Sequence, residues 1–491
     1  MASRFAPPNL LQNLRRLTRR PLNSATPSAL SPALTLEEKP DPSATSASAT
    51  SILKFDDTKE VFSSVSTGKL VKSAANLHLA AIETMVDLGM WVMTSRLMDT
   101  AVAREVVLGV VRRTFYDHFC AGEGPAEACR TAAKLWDADC LRGTLAYALE
   151  HATDNESCDR NLEGFVGTVE STKSLPRSSA SFVVLKITAI CPSRLLHRIS
   201  DLLRWEYKNE ALKLPWKLNT LPIFSDGSPF YHTPRKPDPL TQEEEQDLHL
   251  AYQRLQKLCE KCLEANIPLL VDAEDTSIQP SIDYFTYSAA ILYKNVDDPV
   301  IYGTIQTYLK DAKERLLQAS DAAEKMEVPI GFKLVRGAYM TSERKLASSL
   351  GVESPIHNTI DQTHACFNDC ASFMLDKVGD GSGAILLATH NVESGNKAAT
   401  KARDLGIGKG NPKLQFAQLY GMADSLSFGL RNAGFQVSKY MPFGPLELVM
   451  PYLLRRAEEN RGLLSASTLD RQLIRKEVTR RLQAAVLKGV N

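Results

Sequence analysis

Residues 300–335 read VIYGTIQTYLKDAKERLLQASDAAEKMEVPIGFKLV and contain the pattern that decides the fold. A short apolar run, Val300–Gln306, is followed by a helical pattern over Asp311–Glu327 and by a second short apolar run, Gly331–Val335. Short apolar runs are typical of buried strands, whereas longer runs with apolar residues three or four apart are typical of helices. The stretch therefore predicts two parallel strands joined by a helix.

The same alternation continues in both directions along the chain. Helical patterns at Gln253–Glu264 and Ser394–Leu405 separate further strand-like runs. Eight strands that alternate with helices predict a (βα)8 barrel. A doubly wound open sheet is the alternative, but no glycine group has the G-x-G-x-x-G spacing of its phosphate-binding turn. The eight runs are Gly143–Leu149, Phe182–Ala189, Pro268–Asp272, Val300–Gln306, Gly331–Val335, Ala384–Thr389, Leu414–Tyr420 and Gln436–Met441.

Composition argues against two classes of protein. Lys and Arg number 58 against 57 Asp and Glu, so there is no basic excess of the kind that nucleic-acid binding requires. The most apolar long segment, Leu77–Met98, contains Glu83 and Asp87 and reads as an amphipathic helix rather than a membrane span.

The first 50 residues differ in kind from the rest. No acidic residue precedes Glu37, and five arginines fall within the first 20 residues, four of them opposite a leucine face on a helical wheel. An amphipathic, Arg-rich and acid-poor start predicts a transit peptide over residues 1–50, and the helical clustering favours the mitochondrion over the chloroplast. A disordered basic tail is the alternative.

After the leader, residues 51–140 are predicted to be helical, and residues 141–485 to form the barrel domain. Residues 204–246 separate two strands by more than one helix requires, and they predict an insertion to which the sequence assigns no function. The pairs Cys259/Cys262 and Cys366/Cys370 lack a second half at zinc-like spacing, so no metal site is predicted.

Polar residues recur where the predicted strands end. In a (βα)8 barrel these ends form the active face, whereas the interior is normally aliphatic. Any one of them has a bland explanation as a solvated loop residue, but eight such ends in eight strands predict a polar, anion-lined cavity. Lys186 must have partners there or a shifted pKa, and Asp272 is a natural partner. The residues are Glu150, Lys186, Asp272, Gln306, Lys333, Arg336, Tyr339, Thr389, His390, Asn391, Tyr420 and Tyr440.

Arg455 and Arg456 interrupt an apolar helical run, and Glu459 follows on the same face. Two adjacent guanidinium groups form either a solvated helix face or a clamp for a carboxylate or phosphate. This stretch alone leaves the two readings open.

Several motifs together resemble the proline dehydrogenase family, most of all its monofunctional plant mitochondrial members, over roughly residues 60–485. The resemblance implies a distorted (βα)8 barrel with a final helix over its mouth, non-covalent FAD, and oxidation of L-proline to Δ1-pyrroline-5-carboxylate. The motifs are Lys186-Ile-Thr-Ala, Asp272-Ala-Glu-Asp, Lys333-Leu-Val-Arg-Gly-Ala-Tyr339, Ala388-Thr-His-Asn391, Tyr440-Met-Pro-Phe-Gly444 and Tyr452-Leu-Leu-Arg-Arg456.

The resemblance also implies roles for individual residues. The substrate carboxylate would meet Arg455, Arg456 and Lys186, and Asp272, Glu150 and Glu459 would hold the arginines in the empty site. The proline ring would pack on Tyr440 and Leu419, with support from Tyr452. The flavin-contacting set would be Gln306, Lys333, Arg336, Tyr339, Thr389, His390 and Asn391.

Two of these residues raise a geometric question. Lys333 and Arg336 are three apart, so they point to opposite faces of a regular strand. Both can contact one flavin only if the chain bulges near Gly337.

The predicted mechanism is hydride transfer from proline C5 to flavin N5, with electrons passed on to a membrane quinone. Contact with the matrix side of the inner membrane would be peripheral. Because the amine must be neutral, activity should rise with pH around neutrality. A methylenetetrahydrofolate reductase-like flavoenzyme and a catalytically silent proline-binding barrel are the alternatives, and the choice between proline and hydroxyproline stays open.

Overall fold

Eight parallel strands close into a barrel in chain order, each hydrogen-bonded to the next and the last to the first. The barrel predicted from the sequence is therefore confirmed. A computed structural model describes residues 52–80, 91–92, 95, 99–176, 178–209, 211–294, 298–450, 452–454 and 464–489. The strands are β1 (Arg142–Tyr147), β2 (Ala180–Leu185), β3 (Leu269–Val271), β4 (Ile301–Gln306), β5 (Gly331–Val335), β6 (Ala384–Ala388), β7 (Leu414–Leu419) and β8 (Gln436–Phe443).

Helices precede the barrel, follow its strands and end the chain. Among the described residues they are α1 (Thr58–Val61), α2 (Thr67–Ala80), α3 (Ala101–Val111), α4 (Asp117–Phe119), α5 (Pro125–Asp139), α6 (Asn155–Thr172), α7 (Ser193–Lys208), α8 (Gln242–Glu264), α9 (Gln279–Leu292), α10 (Ala312–Lys325), α11 (Met340–Leu350), α12 (Ile360–Gly379), α13 (Val392–Asp404), α14 (Asp424–Asn432) and α15 (Leu464–Gly489). A π-helical turn, Arg112–Tyr116, joins α3 to α4. No helix in these described parts is both long and apolar enough to cross a bilayer.

Local sequence signals start two of the outer helices. Before α8, the Thr241 side chain accepts from the Glu244 backbone while the Glu244 side chain accepts from the Thr241 backbone. Thr359 and Gln362 form the same reciprocal capping box before α12. Each box satisfies backbone N–H groups that the first helical turn leaves without partners.

The period of two along the strands fills the barrel interior. Phe182 and Val184 of β2, Leu270 of β3 and Tyr302 of β4 belong to one buried cluster inside the barrel. Because alternate residues of a strand share a face, every second residue after this buried cluster also points into the barrel. These positions reach Lys186, Asp272, Gln306, Lys333 and Tyr440 at the carboxyl ends of the strands.

The second strand ends earlier than its apolar run suggested. The prediction extended it to Ala189, but the strand stops at Leu185 and Ile187–Ala189 form a 3-10 turn. The Ala189 backbone N–H bonds to the Lys186 carbonyl at 2.9 Å, which replaces ladder bonding with a local turn.

The predicted insertion contains an irregular arm. Its first residues, 204–208, end α7 and its last, 242–246, begin α8, so the arm proper runs from 209 to 241 with residue 210 outside the described chain. The buried Arg315 guanidinium donates to the Ile223 carbonyl at 3.1 Å and pairs with Asp283 at 2.5 Å. The arm is thereby bound to α9 and α10.

The final described helix, α15, lies against α1, α2 and α14. Asp470 accepts from the Ser425 backbone N–H at 2.8 Å, and Glu477 accepts from the Thr58 hydroxyl at 3.1 Å. The helix expected over the barrel mouth is the segment around Arg455, of which residues 446–450 and 452–454 are described and are helical.

Candidate active site

Lys333, Asp272 and Tyr440 meet at the carboxyl end of the barrel. The Lys333 ammonium forms an ion pair with Asp272 Oδ1. The Tyr440 hydroxyl donates to Asp272 Oδ2 at 2.8 Å, and the Lys333 nitrogen lies 5.7 Å from the Tyr440 ring centre. Burial, followed by the Asp272 charge, raises the pKa of Tyr440 well above its usual value. The carboxylate is therefore fixed by one cation and one hydroxyl donor.

Lys186 and Glu150 form a second pair beside it. Lys186 Nζ lies 2.8 Å from Glu150 Oε2, and both side chains are less than one-fifth exposed. The predicted pairing of Lys186 with Asp272 is therefore wrong. Glu150 comes after β1, the strand next to β2, and it reaches Lys186, while Asp272 turns to Lys333 two strands away.

A third carboxylate, Glu274, lies near this pair. It belongs to the Asp272-Ala-Glu-Asp motif, but the sequence assigned it no role. It is almost fully buried and accepts from the Thr188 hydroxyl at 2.8 Å. Burial raises the pKa of Glu274, and the Lys186 charge opposes that rise. The signal that could have found it is the spacing of two from Asp272.

The predicted ring-packing residues approach the same place. Tyr452 and Leu419 both pack on a cluster that includes Met450 and Leu453, just past the ends of β7 and β8. Tyr452 and Tyr440 also interact electrostatically. Three predicted residues lie outside the described chain: Arg455, Arg456 and Glu459. The predicted interaction of the two arginines with Glu150 and Asp272 lies outside it as well.

Arg336 occupies a separate position on the rim. Its guanidinium donates to His364 Nδ1 at 3.1 Å, to the Thr389 hydroxyl at 2.6 Å and to the Ser394 hydroxyl at 2.6 Å. Its guanidinium carbon lies 3.9 Å from the Phe367 ring centre. Burial lowers the pKa of Arg336 to about 10, which leaves it charged at neutral pH.

Lys333 and Arg336 share no partner among the described residues. Lys333 points into the barrel, while Arg336 comes one residue after β5 and turns toward α12 and α13. This agrees with the opposite faces that strand geometry predicts. The two predicted flavin contacts therefore lie on different sides of the rim.

The remaining predicted cofactor residues have structural bonds of their own. Gln306 donates to the Glu274 carbonyl at 3.0 Å, and His390 Nε2 accepts from the Leu419 backbone N–H at 3.0 Å. Asn391 caps α13 by accepting from the Ser394 N–H at 2.8 Å. Tyr339 immediately precedes α11.

The rim is thus lined by cations and by carboxylates that can exchange partners. Within the described chain no group of three or more His, Cys, Asp and Glu side chains is arranged to hold a metal ion. The predicted thiol pairs are buried cysteines on α8 and α12. Fold and site together define a (βα)8 enzyme whose reaction takes place at the carboxyl ends of the strands.

Comparison with known proteins identifies the family. A sequence profile described as proline dehydrogenase matches residues 130–468. "Proline dehydrogenase 2, mitochondrial" of Arabidopsis thaliana is 54% identical over 486 residues, covering 99% of this chain and 100% of the relative. "Proline dehydrogenase 1, mitochondrial" of the same plant is 57% identical over 436 residues, covering 88% and 87%. The chain belongs to the proline dehydrogenase family.

A solved structure supports the fold independently. Proline utilization A (PutA) from Bdellovibrio bacteriovorus, inactivated by N-propargylglycine, superposes with a TM-score of 0.60 at 19% identity. The match covers 82% of this chain and 41% of that one, so it supports the barrel alone.

Family membership confirms two further predictions. The protein is an oxidoreductase that oxidises proline in proline catabolism. Its predicted mitochondrial localisation is also confirmed. The boundary of the targeting segment at residue 50 stays a prediction, since residues 1–51 lie outside the described chain.

Proposed function

We propose that the protein oxidises L-proline to Δ1-pyrroline-5-carboxylate with FAD as oxidant and passes the electrons to a membrane quinone on the matrix side of the inner mitochondrial membrane. The observation that carries the proposal is the rim cluster. This cluster brings two cations and two carboxylates together at the largely buried carboxyl end of the barrel. It consists of Lys333, Asp272 and Tyr440 together with Lys186 and Glu150. A small zwitterion such as proline presents the charges that such a mouth can bind.

The carboxylate of proline would bind to Lys186, together with Arg455 and Arg456. Lys186 pairs with Glu150, and an ammonium group with three donors can bind a second carboxylate beside the first. The proline ring would pack on the aromatic ring of Tyr440. The hydrogen bond to Asp272 is made by the Tyr440 hydroxyl and not by the ring face. Leu419 and Tyr452 would close the apolar side.

The residues around Arg336 fit the pyrophosphate of FAD. Arg336 is a charged group with no carboxylate within ion-pair distance among the described residues, and its hydrogen bonds all go to neutral acceptors. It touches Ser394 in the first turn of α13, and helix N-termini favour phosphate. Thr389, His390 and Asn391 form the loop into that helix. Lys333 would face the ring system from inside the barrel.

FAD, when bound, supplies a two-electron oxidant that accepts a hydride at N5. The amine of proline must first lose a proton, because only its lone pair can form the C5=N double bond as C5 loses its hydride. Positive charges at Lys186 and Lys333 favour that loss. Tyr440 and Asp272 hold the ring in place, and the buried mouth limits access of water.

An anaerobic titration of the purified flavoprotein with L-proline tests the reaction. We expect proline to bleach the visible absorbance of the flavin, and Arg455→Met or Arg456→Met to abolish bleaching while FAD stays bound. Oxidised flavin in the presence of proline would overturn the substrate assignment. Absence of flavin even after reconstitution would favour a binding protein, and bleaching by a reduced nicotinamide alone would favour a reductase.

The electron acceptor requires a separate test. Proline-reduced protein should be reoxidised by a short-chain quinone faster than by dioxygen, and it should pellet with inner-membrane vesicles. Equal reoxidation rates would contradict the quinone assignment. Parallel titration with 4-hydroxyproline measures substrate preference, for which we expect proline to be favoured.

A further inference from the structure

The loop that follows β3 is bound directly to the helix that follows β5. Glu343 of α11 accepts from the Thr276 backbone N–H at 2.6 Å through Oε1 and from the Thr276 hydroxyl at 2.7 Å through Oε2. Both residues are less than 5% exposed. The pair joins two barrel connections that are 67 residues apart in sequence.

The two connections carry different halves of the site. The β3 loop begins with Asp272 and contains Glu274, which lie near Tyr440 and Lys186 on the side assigned to the substrate. Helix α11 begins four residues after Arg336, on the side assigned to the cofactor. A bond between them therefore links the loop on the substrate side to the helix on the cofactor side.

Burying a carboxylate to join two loops costs desolvation free energy. Among the described residues no cation lies within ion-pair distance of Glu343, so its hydrogen bonds from Thr276, helped by the more distant Arg204 charge, offset its burial. Burial raises the pKa of Glu343, while the two Thr276 donors and the Arg204 charge lower it and the Asp275 charge raises it. A buried carboxyl group that accepts two hydrogen bonds from one residue of another loop suits a geometric requirement better than simple packing would.

Thr276 is held from its other side as well. Arg204 donates to the Thr276 carbonyl at 2.5 Å and to the Ser277 carbonyl at 2.7 Å. His232, in the arm, lies 2.8 Å from the Thr276 hydroxyl. Burial, then the Arg204 charge, lowers the pKa of His232 to about 3, so it is a neutral donor throughout the working range. The arm thus supports the loop from outside while Glu343 holds it from α11.

We propose that Glu343 is a positioning residue: with Thr276 it forms a latch that fixes the substrate-side loop against the cofactor-side helix and so sets the distance between bound proline and FAD. The inference rests on the proposed function. It also gives the arm at 209–241 a role, because His232 of the arm flanks the latch beside Arg204 of α7.

The test compares Thr276→Val, Thr276→Ser and Glu343→Gln with a matched control, Thr286→Val. Thr286 is equally buried and donates to a carbonyl within its own helix, α9, so its loss breaks no link between loops. We expect Thr276→Val to slow flavin reduction at saturating proline by about tenfold, because small displacements of reacting groups are costly. Glu343→Gln should lower the rate of flavin reduction by less than Thr276→Val does. Thr276→Ser keeps the hydroxyl, so its rate should be close to that of the wild type. The dissociation constants of FAD and proline, each measured alone, should change less than about threefold.

Hydrogen exchange of the peptide 272–278 gives a readout that does not depend on turnover. Exchange should accelerate in Thr276→Val and in Glu343→Gln but not in Thr286→Val. If Thr276→Val does not fold, Glu343→Gln carries the test alone. Unchanged exchange and unchanged reduction rate in the latch variants, or an equal loss in Thr286→Val, would overturn the latch. Failure of wild-type flavin to respond to proline would instead overturn the proposed function, and the exchange data would stay interpretable.

Discussion

Two buried lysine–aspartate pairs lie on opposite faces of the barrel wall. Lys333 pairs with Asp272 inside the mouth, where Tyr440 of β8 also reaches the carboxylate. Lys439, the residue before Tyr440, points the other way and pairs with Asp424 at 2.7 Å while donating to the Met422 carbonyl at 2.7 Å. One step along a strand therefore separates the candidate site from a structural anchor, because successive side chains alternate between faces.

The difference lies in what else each aspartate touches. Asp424 begins α14, and the backbone N–H groups of Asp424 and Ser425 donate to Asp470 of α15 at 3.1 and 2.8 Å. The outer pair is thus part of a network that ties the final helix to the barrel. The inner pair ends at the rim, where a ligand can replace one of its members. Equal chemistry should therefore give unequal consequences when each pair is broken.

Removing the outer lysine should cost stability and little else. Lys439→Met leaves Asp424 largely buried without its cation, for which about 3–5 kcal/mol of unfolding free energy is expected to be lost. Urea unfolding measures the loss. The rate of flavin reduction per folded molecule should be unchanged. A variant as stable as the wild type would contradict the structural role of the outer pair.

Removing the inner lysine should do the reverse. Lys333→Met should slow flavin reduction by proline about a hundredfold, because a fixed charge at the reacting centre is lost. Its unfolding free energy should fall less than that of Lys439→Met, since the rim carboxylate keeps its bond to Tyr440 and gains water. Stopped-flow absorbance and urea unfolding are measured on the same preparation. If Lys333→Met lost unfolding free energy but reduced flavin at the wild-type rate, the inner pair would have the same structural role as the outer pair.

A second anchor in the middle of α15, Glu477, should respond to pH. Hydrogen bonds, first from Arg480 and then from Arg481 and Thr58, outweigh burial and lower the pKa of Glu477 from 4.5 to about 2. The stabilisation that Glu477 gives the folded state is therefore complete at pH values above its pKa in the unfolded chain. It is lost as the pH falls through its pKa in the folded protein. The full shift corresponds to about 3 kcal/mol, and solvent screening at the partly exposed Arg480 reduces the expected advantage of wild type over Glu477→Gln to about 2 kcal/mol at neutral pH.

That difference should shrink between pH 4.5 and about 2. Denaturant unfolding across the range, with the exposed Glu264→Gln as control, measures it. A difference that did not change with pH would mean that Glu477 acts through shape rather than charge.

The smallest expected effect is that of a single hydroxyl. Tyr440→Phe keeps the ring but removes the donor to Asp272, which should slow flavin reduction by about tenfold or less and leave the unfolding free energy within about 1 kcal/mol. The KM for proline should change less than the reduction rate if the hydroxyl acts by fixing Asp272. A large rise in KM alone would instead assign the hydroxyl to substrate binding.

Much of the fold follows from the sequence because its signals are local. All eight strand-like runs became strands, with ends shifted by a few residues where a turn competes, as at Ile187–Ala189. Capping boxes at Thr241 and Thr359 mark helix starts that depend only on neighbouring residues. Placing Lys186, Asp272, Lys333 and Tyr440 at one rim also needed only the period of two and the parallel direction of the strands.

What the sequence did not determine is which of these residues meet. It suggested Lys186 for Asp272, but the structure pairs Lys186 with Glu150 and Asp272 with Lys333. It also passed over Glu343, whose partner Thr276 lies 67 residues earlier. Strand order brings the ends of the strands together, but the reach of each side chain across the rim depends on how the strands are staggered and on where the loops turn. Those are properties of the closed barrel, so the type and place of the charged residues were fixed by the sequence, whereas their partners were decided by tertiary structure.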